Sequence, residues 1–217
     1  MATIQIRNIG PITDTGIITL TSVMLVIGKQ SSGKSTFLKI LCFCRWMEKQ
    51  IMVSDEEAIS QYTHNFKFLK SIKQFHRFND SYFSSASSIC YEGDTITITM
   101  ENIFSDVKIQ RKPEFETLRY NTKLSFIPSE RNLVSVIKNI DQSYRSAEND
   151  VLFNYIFEWG EAKDSYTVEH PKRLSFTDNI EYINDGGNDL IRLIGEDKMM
   201  PAYYASSGVQ SAMPLDV

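Results

Sequence analysis

The chain has 217 residues, 42% apolar and 23% charged, with a net charge of −4. That is enough chain for one domain with a real core, or one domain plus an insertion, and the composition is that of an ordinary globular protein. The charge balance excludes an overall basic field for nucleic acid, leaving only a local basic patch. The longest apolar run near the start, Val23 to Ile27, is too short to span a membrane, and no charged-then-apolar leader opens the chain. Three cysteines, Cys42, Cys44 and Cys90, form an odd set without metal spacing. Cys42 and Cys44 are expected to pack as small apolar groups, and a reducing cytoplasm fits this usage.

In chain order, TIQIRNIGPI (3–12) alternates and turns at Gly10-Pro11, and GIITLTS (16–22) is a second β-like run. A third stretch, SVMLVIG (22–28), is apolar, β-rich and of strand length. It runs into KQSSGKST (29–36), after which Phe37, Leu38, Ile40, Leu41 and Cys44 follow helical spacing. Strand, small polar loop and helix are therefore expected in that order.

From Gly28 to Ser35 the spacing is G-x-x-x-x-G-K-S. A loop that holds a phosphate chain must turn its backbone N–H groups inward around the anion. Gly28 and Gly33 permit the angles and the close approach this needs. The helix that follows adds unpaired N–H groups and the positive end of its dipole. The candidate ligand contacts are Gly28, Lys29, Gln30, Ser31, Ser32, Gly33, Lys34, Ser35 and Thr36. Lys34 should reach the β- and γ-phosphates and stabilise charge there, Ser35 should ligate Mg²⁺, and Thr36 should touch the α-phosphate.

Residues 54–79 read as one or two helices, with Ser54 and Glu57 as a capping box. Tyr62, Phe66, Leu69, Ile72 and Phe75 keep helical spacing, and His64 and His76 have no ligand-forming neighbours, so both are expected on the helix surface or in packing. Phe66, Phe68, Phe75 and Phe78 read as core. SSASSIC (84–90) begins as a small-residue loop, and 89–100 reads as a hairpin turning at Glu92-Gly93-Asp94. Further strands are expected within 103–111 and at KLSFIP (123–128), helices over 129–158 with a break near 139–143, a continuation over 153–164, and a hairpin around Asp185-Gly186-Gly187.

Near the end stands SSGVQ (206–210). It resembles the S-G-G-Q core of the ATP-binding-cassette signature, and more closely the S-S-G-x-Q form of RecF/SMC-like and OLD-like bacterial ATPases. The opening IQIRNIGPI, the early phosphate loop and FIPSERN (126–132) resemble the same group, so the likeness covers most of the chain. Two departures stand out: Gln30 and Ser31 replace the Asn and Gly of the usual G-x-N-G-S-G-K loop, and Ser207 and Val209 replace commoner signature residues. The resemblance implies a P-loop NTPase of cassette type, α/β, with an antiparallel β layer and a helical subdomain. It implies ATP and Mg²⁺ as ligands, and Ser206, Ser207, Gly208 and Gln210 as contacts to the γ-phosphate held by another subunit. A head-to-tail homodimer or multimer follows, with DNA maintenance or phage defence as the setting, an effector protein or nucleic acid as further partners, and no membrane. Glu130 and Arg131 fall where a strand end approaches the nucleotide.

The family also needs an apolar strand ending in Asp and Glu after the signature. NYIFE (154–158) precedes the signature and reads as helix, and Asp216 follows Pro214 too closely for a buried strand. The fold is thus expected to be incomplete at the C-terminus, with negligible hydrolysis by this chain alone. Within one domain, 1–53 and 84–128 are assigned to a β-rich nucleotide lobe, 54–83 to a helical insertion, 129–178 to a helical subdomain, and 179–217 to the hairpin and signature. A small-molecule kinase and a non-hydrolysing nucleotide sensor use the same loop and remain open. A GTPase lacks its N-K-x-D here.

Overall fold

A computed structural model describes residues 1–53, 57–63, 67–116, 123–129, 131 and 151–217. The chain is mixed α/β with antiparallel sheets, in two compact units, Met1–Leu124 and Ser125–Val217. Ser54 of the expected capping box, His64, Phe66, Glu130 and the helical region expected over 132–150 lie outside the described residues.

The first unit opens with β1 (Thr3–Ile9), β2 (Ile12–Asp14) and β3 (Ile18–Thr19). Helices α1 (Lys34–Val53), α2 (Glu57–Thr63) and α3 (Lys67–His76) follow, then β4 (Phe83–Glu92), β5 (Ile96–Met100) and β6 (Lys108–Arg111). The strands form one antiparallel sheet in the order β2-β1-β4-β5-β6, with β3 also on β1. One sheet face is apolar: Ile4, Ile6, Ile89, Tyr91, Ile96, Ile98, Met100 and Ile109 are buried. The other carries Cys90, Glu92, Lys108 and Gln110, all exposed, as expected for a sheet packed on one side only. Helix α1 buries Phe37, Ile40, Phe43, Cys44, Met47 and Ile51, a stripe at helical spacing. Phe68, Ile72 and Phe75 of α3 are buried too, and the Phe43 ring meets those of Phe68 and Phe75 at 5.3 and 5.6 Å.

His76 is buried against the Phe75 ring, 4.7 Å between centroids. Burial, and then the charge of Lys39, hold its pKa down to about 3. The imidazole is neutral in the fold but takes a proton in the unfolded chain below about pH 6.5. Its contribution to stability is therefore present above that value and lost as pH falls toward 3. Urea titrations of the wild type and of His76→Gln should show this: the wild type loses stability more steeply between pH 6.5 and 4, and equal slopes would refute the assignment.

The thiols also follow from packing. Cys44 is buried, Cys42 is half-buried with its pKa pushed up to about 12 by burial, and Cys90 is exposed. Alkylation of the native chain at pH 8 should modify Cys90 first. Rapid modification of Cys44 under native conditions would contradict this packing.

The second unit contains α4 (Val151–Lys163), then β7 (Lys172–Arg173), β8 (Ile180–Asp185), β9 (Asn188–Leu193) and β10 (Met199–Pro201), and ends in α5 (Ser207–Asp216). The strands pair antiparallel in the order β10-β9-β8-β7. Gly186 and Gly187, at φ +56° and +85°, supply the two left-handed positions of the tight β8–β9 turn, where the sequence places a hairpin. Tyr155 and Trp159 of α4 bury against Leu174, Tyr182, Ile191, Ala202 and Met213.

Three expectations differ from the structure. Residues 22–28 form no strand, and neither do 123–128. The small residues 84–88 are not a loop but part of the ten-residue β4. Pairing explains β4: it lies between β1 and β5, and its Ser87 hydroxyl donates to the Asn8 carbonyl where β1 bulges. Tertiary pairing there overrides weak local propensity. Segment 22–28 has no such neighbour among the described residues.

Candidate functional site

Residues 28–36, the expected phosphate loop, lie in the first unit, at the N-terminus of the 20-residue α1. The loop turns at Ser31, φ +61°, and again at Gly33, φ +93°. A Cβ on Gly33 would stand 2.7 Å from Cγ1 of Ile12, so glycine is required there by both angle and space. Within the turn the Ser32 N–H donates to the Lys29 carbonyl at 3.3 Å, and the Phe37 N–H donates to the Gly33 carbonyl at 2.8 Å, starting the helix.

Lys34 curls back across this loop. Its Nζ donates to the carbonyls of Gly28 and Lys29, at 2.8 and 2.6 Å. The ammonium is thus held at the mouth of the loop by exposed carbonyls that water can take over. Ser35 is exposed in the first helical turn, and Gly28, Lys29, Gln30, Ser31 and Ser32 are exposed as well. Thr36 differs, since it belongs to the buried stripe of α1 and keeps only 6% exposure.

Local charge favours an anion. No acidic residue stands in the first turn of α1. Between Asp14 and Glu48 the sequence carries Lys29, Lys34, Lys39 and Arg45 and no acid. A chain of net charge −4 therefore presents a locally basic segment around a helix N-terminus. That acid-free run of 33 residues, 15 to 47, is a signal in the sequence that motif spacing alone does not exploit.

The signature-like residues lie in the second unit. Ser206 caps α5: its φ and ψ are −59° and 152°, and its Oγ accepts from the Val209 N–H at 3.4 Å. Ser206, Ser207 and Gly208 are exposed, and Tyr204 just before them is 70% exposed. Gln210 faces its own turn, its Nε2 donating to the carbonyls of Tyr203 and Ala205 at 2.8 and 2.9 Å. Its amide nitrogen therefore shapes the entry to α5. Arg131 donates from Nε to the Ser211 carbonyl on that helix at 3.1 Å.

The carboxylates weighed for hydrolysis have other partners. Glu158, on α4, accepts from the Ser125 hydroxyl at 2.6 Å. Asp216, the last residue of α5, accepts from the Ser175 N–H and stands 3.8 Å from Lys172 Nζ. Among the described residues, no group of three or more His, Cys, Asp or Glu could hold a metal ion, and no helix is long and apolar enough to cross a membrane.

Sequence reasoning missed one buried carboxylate. Glu48 of α1 accepts from the Tyr91 hydroxyl at 2.6 Å and from the Thr95 N–H and hydroxyl at 2.7 and 2.9 Å. Arg45 joins it at 3.3 Å and bridges to Asp94 at 2.7 Å. Burial, and then the Glu48 charge, push the Tyr91 pKa far up, so this phenol stays a neutral donor. Every polar partner of Glu48 is a structural one, which makes it a bolt between α1 and the β4–β5 turn. Comparison of the chain with protein-family models, curated proteins and solved structures finds no match in any of the three.

Proposed function

We propose that this chain is an ATP-binding protein of the P-loop type, holding Mg·ATP at residues 28–36. The observation that carries the reading is Lys34, its ammonium folded over the carbonyls of Gly28 and Lys29 at the N-terminus of α1. The phosphate chain takes the place of those two carbonyls. Backbone N–H groups of 29–35 and the helix dipole complete the cradle, and Ser35 supplies the Mg²⁺ ligand. Thr36 contributes through its backbone N–H, since its side chain is buried.

The kinship with cassette-type bacterial ATPases rests on the motifs, chiefly SSGVQ. In this reading Ser206, Ser207 and Gly208 offer N–H and O–H donors at the start of α5 to a nucleotide held by another copy, and Gln210 orients them.

Calorimetric titration of Mg·ATP into the chain tests the reading. One-site binding is expected, stronger than for ATP with EDTA in place of Mg²⁺ and stronger than for Mg·AMP. Absence of binding, or equal affinity for AMP and ATP, would refute a loop built for the β- and γ-phosphates.

A further inference from the structure

We propose, resting on the reading of residues 28–36 as the Mg·ATP site, that Lys29 distinguishes a nucleoside triphosphate from a diphosphate, its ammonium meeting the terminal phosphate of the ligand. The acid-free run 15–47 carries the cations Lys29, Lys34, Lys39 and Arg45. The protein itself engages all but the first of them. Lys34 donates to the Gly28 and Lys29 carbonyls. Lys39 donates from Nζ to the His76 carbonyl at 3.3 Å and lies 5.5 Å from the centre of the Phe78 ring. Arg45 bridges to Asp94 and to Glu48. Lys29 is exposed, and its ammonium has no hydrogen bond, ion pair or ring contact among the described residues.

The Lys29 backbone, by contrast, is pinned. Its carbonyl accepts from Lys34 Nζ at 2.6 Å and from the Ser32 N–H at 3.3 Å, in the turn made by the left-handed Ser31. A carbonyl oxygen lies about 2.4 Å from its own Cα, so the Lys29 Cα stands within about 5 Å of the Lys34 ammonium. From there the four-carbon stem of Lys29 is long enough to carry a second ammonium to a phosphate that Lys34 also touches. The order of the loop decides which phosphate that is. The α-phosphate end belongs to Thr36 and the helix start, and the terminal end to the mouth, where Lys34 meets the Gly28 and Lys29 carbonyls. A diphosphate ends one phosphoryl group short of this place and leaves the Lys29 ammonium in water. A triphosphate adds a charge-assisted contact to a cation already close by. It also screens two like charges that have no acid between them.

Calorimetric titration of Mg·ATP and of Mg·ADP into the whole chain, and into Lys29→Gln and Lys29→Arg, reads the ratio of the two affinities. Lys29 is exposed, so both variants keep their fold, which thermal unfolding verifies. Lys29→Gln should weaken Mg·ATP by about ten-fold and leave Mg·ADP within about two-fold of the wild type. Lys29→Arg keeps a cation on a long stem and should retain most of the preference for ATP. An unchanged preference in Lys29→Gln overturns the proposal. Equal weakening of both nucleotides overturns it too, in favour of a cation that acts only through the general field of the loop. A preference lost to the same degree in Lys29→Arg also overturns it, since a contact made by charge survives that exchange. Absence of Mg·ATP binding by the wild type removes the site at 28–36 itself, and the proposal with it. That failure shows in the wild-type titration alone, whereas the others require a wild type that binds.

Discussion

Lys34→Ala is expected to weaken Mg·ATP binding by about 100-fold, or roughly 2.8 kcal/mol, while leaving the thermal midpoint unchanged. The magnitude follows from the interaction removed. A charge-assisted hydrogen bond to phosphate contributes about 1.5–3 kcal/mol, and in the proposed complex Lys34 reaches two phosphates from one ammonium. In the free protein that ammonium bonds to the Gly28 and Lys29 carbonyls at 2.8 and 2.6 Å. Both residues are exposed, so water replaces the lysine without leaving a buried polar group orphaned. The loss is thus confined to the ligand complex. Calorimetry of the wild type and the variant measures it, and affinities within three-fold of each other would remove Lys34 from the site.

The largest stability effect is expected at Glu48. Glu48→Ala removes the acceptor for the Tyr91 hydroxyl and for the Thr95 N–H and hydroxyl, all in a buried place. Breaking a buried charged network by deleting one partner costs about 3–5 kcal/mol. That is a large share of the roughly 5–15 kcal/mol that holds a domain together. Glu48→Gln keeps an acceptor oxygen and most of the shape, so its loss should be smaller. Gly93 belongs to the same bolt: a Cβ there would lie 2.5 Å from the Glu48 carboxylate, and Gly93→Ala must push one of them aside. Urea unfolding of residues 1–124 within the whole chain reads all three. A loss below 1 kcal/mol for Glu48→Ala would mean that water, rather than this carboxylate, satisfies Tyr91 and Thr95.

Some of this was legible in the sequence because the requirement is local. Gly33 could be read from spacing, since a tight turn into a helix start needs a left-handed glycine. Gly186 and Gly187 announce a two-residue hairpin by the same logic. The cap at Ser206 follows from a hydroxyl just before a helix. Non-local pairing is what hid the rest. Residues 84–88 are serines and alanine with weak strand preference, and only their place between β1 and β5 makes them a strand. Residues 22–28 fail in the opposite sense: their preference is strong, but a strand exists only when its edges are paired. Glu48 reads as a surface charge on α1 until its position is counted. It lies four residues after Cys44 and three before Ile51, on the buried stripe, and that count was the available signal.

Backbone amide NMR tests the proposed phosphate site directly. Mg·ATP should be titrated into ¹⁵N-labelled chain and the shift changes followed residue by residue. Changes concentrated at Gly28 to Thr36, with the Gly33, Lys34 and Ser35 amides moving downfield as they donate to phosphate oxygens, are the predicted result. Saturable shifts that leave those amides untouched and cluster elsewhere in the chain would contradict the assignment.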